Sequence, residues 1–145
     1  MARRMPRLPR KPLTAGFICV VGLIVFYAVE QASHRIARGR IRTVVPGSTM
    51  MNTRVVGFAY TRRFLFSNAE YAWHLQSWPA FVVPLGFAPS DSSDVAFAAQ
   101  SIERLLGKSM LRGDMIVYRS GAHGLKWYIL THPSGGDVYI YAIAH

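Results

Sequence analysis

At 145 residues the chain has room for one domain plus a membrane segment, and its formal net charge of +10 arises from fourteen arginines and three lysines against seven acids. Such a balance fits nucleic acid or an anionic lipid surface. The distribution favours membrane lipid: Arg3, Arg4, Arg7, Arg10 and Lys11 precede one apolar run, and Arg35, Arg38, Arg40 and Arg42 follow it. The only cysteine, Cys19, lies inside that run, which excludes an intrachain disulfide, and no metal framework or cofactor motif is present.

Residues 1–12 are basic and free of acids and read as a cytoplasmic tail. Residues 13–29, LTAGFICVVGLIVFYAV, carry no charge and predict a transmembrane helix, at the short end of the ~20 residues a span needs. A cleavable signal peptide competes, but cutting after Ala28 or Ala32 would put Phe26 or Glu30 where a small residue is required. An uncleaved, single-pass anchor in the cytoplasmic membrane is the expectation. The basic N-terminus predicts that residues 43–145 lie outside the cytoplasm. The basic segment 30–42 extends the helix as an interfacial stretch as far as Gly39.

Pro46 and Gly47 predict a turn ahead of Ser48-Thr49-Met50-Met51. Residues 54–66 read as one or two strands with Gly57 at a bend. Residues 67–90 hold Tyr71, Trp73, Trp78, Phe81, Val82, Leu85 and Phe87 without a clear period, which suits either core packing or a loop dipping into a bilayer surface. Residues 91–107 predict a helix capped by Ser92 or Ser93 and stopped at Gly107, with Val95, Ala98, Ile102, Leu105 and Leu106 on the face that covers a sheet. Strands follow near 115–120, 125–132 and 137–144. In the last, Val138, Ile140 and Ala142 share one face and Tyr139, Tyr141 and Ile143 the other, so both faces are expected to be covered. The fold class is therefore mainly β (α+β): an N-terminal membrane helix followed by a small β domain with one covering helix.

Two stretches resemble the membrane-bound signal peptidase I family. Pro46-Gly47-Ser48-Thr49-Met50-Met51-Asn52-Thr53 is similar to that family's nucleophile motif just beyond its anchor, and Gly57 matches a later glycine. Arg112-Gly113-Asp114, Met115 to Tyr118, Tyr128-Ile129 and Gly136-Asp137 match, in order, the family's Arg-Gly-Asp, hydrophobic strand, lysine-bearing strand and Gly-Asp turn. Leu130 stands where the family has its catalytic lysine. The resemblance spans 46–57 and 112–137 and implies a serine endopeptidase that processes secreted or pilin-like precursors at the membrane. It places Thr49 on the nucleophile, or Ser48 after a one-residue slip.

The base would have to be Lys126, four residues before Leu130 on the same strand face, or His132, two residues after it. Burial keeps a lysine amine neutral and able to accept the hydroxyl proton. A histidine needs less adjustment, and the related peptidases of the endoplasmic reticulum place one there. Each residue also has a plain structural reading: Ser48 and Thr49 as turn hydroxyls, Met50 and Met51 as core filler, Lys126 as a solvated strand residue, His132 as a turn residue beside Pro133. The alternative function is a catalytically inactive homologue serving as a structural subunit of a membrane secretion or conjugation assembly. That reading expects an exposed apolar patch within residues 71–87 for a partner chain.

Overall fold

The protein is described by a computed structural model that covers residues 11–61, 68–78, 81–109 and 114–144. Most of the basic tail, the end of the 54–66 run and Arg112-Gly113 lie outside the described residues. Helix α1 runs from Lys11 to Gly39 without a break, through both the apolar run and the basic segment. Pro12 is tolerated because the first turn of a helix has no partner for its N–H group. Among the described residues this is the one helix long and apolar enough to cross a membrane, by length and composition, and none of its apolar window is buried. The chain divides into two compact units, one ending at Ile36 and the other comprising Ala37–His145.

In the second unit a 3-10 turn, Arg40–Thr43, leads to a short helix α2, Gly47–Met51. Strands β1 (Thr53–Thr61) and β2 (Glu70–Ser77) follow, then the two-residue β3 (Ala88–Pro89), helix α3 (Ser92–Leu106), and strands β4 (Ile116–Ala122), β5 (Leu125–Thr131) and β6 (Gly136–Ala144). The strands form one antiparallel sheet in the order β1-β2-β6-β5-β4-β3. The predicted turn at 46–53 is thus largely helical. Its Pro46 supplies an extended residue ahead of the helix, and Met50 N–H closes on Pro46 O at 3.0 Å.

Both sheet faces are covered, as the alternation along residues 137–144 predicted. On the first, Tyr71, Trp73 and Leu75 of β2, Trp127 and Ile129 of β5 and Val138 and Ile140 of β6 pack against Ala37, Ile41 and Val45. Stacked rings cross this face from Tyr60 to Tyr71 (6.3 Å), Trp73 (5.9 Å) and Trp127 (5.7 Å). The buried Trp73 indole donates to Arg38 O at 3.2 Å, so the one polar atom of the largest core side chain is satisfied. On the second face α3 lays Ala98, Ala99 and Ile102 over Ala72, Tyr128, Leu130 and Tyr141.

Helix α3 falls where its period predicted, but its N-cap is Asp91 rather than a serine. Asp91 Oδ1 accepts from Ser93 N (3.0 Å), Asp94 N (3.1 Å) and Ser93 Oγ (2.6 Å). Hydrogen bonds from Ser93 Oγ and then Asp94 N hold the Asp91 carboxyl below its ordinary range. A carboxylate there also complements the helix dipole, which a serine does not. Gly107 ends the helix in the left-handed region at φ 64°, and its N–H bonds to Glu103 O.

Strand β2 is central and was not foreseen. Tyr71, Trp73 and Leu75 are buried on the first face and Ala72 beneath α3 on the other, whereas His74 is half-buried and Gln76 exposed, so the alternation is confined to Trp73–Gln76. The β4–β5 hairpin turns on His123 (φ 54°) and Gly124 (φ 71°), a pair of left-handed residues matching the twist of the flanking strands. The ladder also defines two ends of the sheet. Thr53, Ser77 and Gly136 align at one, beside α2 and the β5–β6 turn. Thr61, Glu70, Ile143 and Lys126 align at the other, beside the β4–β5 hairpin.

Candidate binding cleft at the Met51 corner

Helix α2 positions both candidate nucleophiles at the first end of the sheet. Ser48 is exposed and Thr49 partly buried, and the Thr49 carbonyl accepts a hydrogen bond from Thr53 Oγ1. Lys126 sits at the opposite end, exposed, across from Gly121. The eight steps from Thr53 to Thr61 separate those ends by roughly 26 Å at 3.3 Å per residue. The fold therefore does not bring Lys126 to Ser48 or Thr49.

His132 lies just beyond β5, at the same end as α2. Its Nδ1 is 2.8 Å from Ser134 Oγ, within the β5–β6 turn. Two strands, β2 and β6, stand between β5 and β1, a lateral distance of about 14 Å. Leu130, at the position of the family's lysine, is fully buried beneath α3, opposite Tyr139, and belongs to the apolar cluster there.

The two stretches that resemble the peptidase do meet, around a cleft of about 500 Å³. Met51, Asn52, Thr53 and Arg54 line one side, Gly136 and Asp137 the other, and Gln76, Ser77 and Trp78 the middle. Met51 is 86 % exposed and Trp78 87 %. Trp78 N–H bonds to Asn52 O at 3.1 Å, which fixes the start of the loop after β2 against the end of α2. The cleft thus presents two apolar side chains, two carboxamides, one guanidinium and one carboxylate. A second hollow of about 510 Å³ shares Met51 and Thr53 and adds Arg42, Val45 and Met50. Among the described residues no three His, Cys, Asp or Glu side chains group to hold a metal.

A pair that sequence reasoning missed borders this cleft. His74 Nε2 lies 2.7 Å from Asp137 Oδ1, and the imidazole stacks on Tyr139 with centroids 4.5 Å apart. His74 Nδ1 is buried without a hydrogen-bond partner. Gly57 faces His74 across the β1–β2 ladder, and a Cβ added there would stand 3.3 Å from His74 Cβ. The register that sets His74 opposite Tyr139 and Gln76 opposite Asp137 makes this pair, and two residues 63 positions apart carry no local signal of it.

The expected apolar patch within 71–87 is divided by the fold. Tyr71, Trp73 and Leu75 are core, whereas Trp78, Val82 and Leu85 are exposed, and Phe81 and Phe87 pack inward on the first face. Comparison of the chain with known protein families, curated proteins and solved structures finds no match.

Proposed function

We propose that this chain is a membrane-anchored, non-catalytic subunit that holds a partner polypeptide of a membrane assembly at the Met51–Trp78 corner. One observation carries this reading: two large apolar side chains, both almost fully exposed, wall a cleft whose rim offers hydrogen-bonding amides and charges of both signs. Exposed aromatic and methionine side chains beside polar groups are the composition of contact sites between proteins. Strand β1 runs out of this cleft, and no strand pairs with its outer edge among the described residues. The helix α1 supplies the anchor, with the second unit outside the cytoplasm by the charge asymmetry of its flanks.

The test is a photo-cross-linking residue at position 78 of the full chain, in its native membrane, with position 108 as an exposed control. A discrete adduct from 78, absent from 108 and lost on Met51→Ala, is expected. Equal labelling at both positions, or none, overturns the reading. Protease protection of the second unit in sealed vesicles reports its side of the membrane.

A second reading, a signal-peptidase-like endopeptidase acting on secreted or pilin-like precursors, draws on the shared cleft between the Met51 turn and the Gly136-Asp137 turn. It requires that Ser48→Ala or Thr49→Val, and His132→Asn, each abolish precursor cleavage, while Lys126→Gln, at the other end of the sheet, leaves it intact. Cleavage unchanged in Ser48→Ala, Thr49→Val and His132→Asn removes it.

A further inference from the structure

A second open cleft, of about 690 Å³, lies at the far end of the sheet around the tip of the β4–β5 hairpin. We propose that it is a binding site for a phosphate-class oxyanion, either free phosphate or the phosphate of a lipid headgroup, with Lys126, Arg119 and His123 as its cationic side. This goes beyond the polypeptide-binding reading and does not depend on it.

Four observations converge. The lining holds Arg119, His123 and Lys126 and no carboxylate, in a chain whose net charge is +10. Arg119 is set opposite Tyr128, and Lys126 opposite Gly121, so the two cations project from the same face of neighbouring strands on a diagonal of about 7–8 Å, a span that one tetrahedral anion with its first hydration can bridge. Arg119 keeps one guanidinium nitrogen on Asp94 at 3.0 Å, which orients it and leaves other N–H groups to give.

The fourth observation is Gly121 itself. Its φ is not in the left-handed region, and a Cβ added there would meet nothing within 4 Å. The backbone therefore has no need of glycine at this position, although glycine within a strand is destabilising by roughly 0.5–1 kcal/mol. What its missing side chain does is keep the space in front of Lys126 open. Gly86 and Ala88 keep the opposite wall low.

The experiment uses the full chain in an uncharged detergent, titrated with inorganic phosphate at constant ionic strength. The amide resonances of Gly121, His123 and Gly124 are followed. Saturable shifts confined to the hairpin are expected, weakened about fivefold by Lys126→Gln. Gly121→Glu, which places a carboxylate in the open space without backbone strain, is expected to weaken them about tenfold or more. Resonances of α3 and β6 that stay in place show that both variants remain folded. A second arm replaces phosphate with nanodiscs of phosphatidylglycerol or phosphatidylcholine. Hairpin shifts seen with the former alone, and lost in Gly121→Glu, assign the anion to lipid; shifts with free phosphate only assign it to a soluble ligand. Linear, non-saturating shifts, or saturation unaffected by both substitutions, overturn the proposal.

Discussion

Arg104 NH2 lies 2.6 Å from Glu70 Oε2, tying the last turn of α3 to the first residue of β2. The other Glu70 oxygen accepts from Tyr141 OH at 3.1 Å, and Thr61 Oγ1 stands 3.4 Å from Oε2. Three elements thus share one largely buried carboxylate. Glu70→Ala is expected to destabilise the domain by about 2–3 kcal/mol, since buried donors lose a charged acceptor. Arg104→Ala, from a half-exposed side chain, is expected to cost under about 1 kcal/mol. Denaturant unfolding of the two variants in detergent checks the ranking.

Alkaline pH acts through the same group of residues. Burial, with the Glu70 charge beside it, pushes the Tyr141 hydroxyl up to about 12. Burial also raises Tyr128 and Tyr139 above their ordinary 10. The folded state holds these protons more tightly than the unfolded chain, so the contribution is full below pH 10 and is lost as pH rises toward 12. Thermal unfolding is expected to show a falling midpoint between pH 10 and 12, with a shallower fall in Tyr141→Phe.

The two tryptophans Trp73 and Trp78 separate core from surface. Trp73 is fully buried, and Trp73→Ala is expected to cost about 3–5 kcal/mol through the cavity and the orphaned Arg38 carbonyl. Trp78→Ala is expected to change stability by no more than about 0.5 kcal/mol. Its intrinsic fluorescence signature is equally distinct: Trp78, unlike Trp73 and Trp127, is open to a soluble quencher such as iodide.

Gly107 ends α3 at φ 64° with nothing near an added Cβ. Gly107→Ala therefore meets only backbone strain, and a loss of about 1 kcal/mol is expected. Gly121→Ala, free of both strain and clash, is expected to leave the unfolding midpoint unchanged or slightly raised. Unfolding curves of the two variants side by side distinguish a glycine required by φ from one that only keeps space clear.

Much of the fold was legible because its signals are local. The apolar run, the 3.6-residue period of α3 and the two-residue period of β6 each follow from residues a few positions apart, and each appears where it was expected. The exceptions have local causes too. Asp91 displaced Ser92 and Ser93 as the cap because a charged acceptor reaches two backbone N–H groups at once. The 46–53 stretch became helix α2 after Pro46 because Met50 packs into the core from it.

The candidate sites were a different matter, because a site is a statement about which chain ends coincide. Strand β2 inserts between β1 and β6 and keeps Thr53 near Gly136 while carrying Lys126 to the far end. The β2–β6 register makes the His74–Asp137 contact, and the β4–β5 register sets Gly121 against Lys126. Residue types and periodicity determine which side of an element turns inward, since burial is decided by nearest neighbours along the chain. Strand order and register are decided by long-range packing, and they alone set the distance between Ser48 and any base, the Met51–Trp78 cleft and the open cationic hairpin.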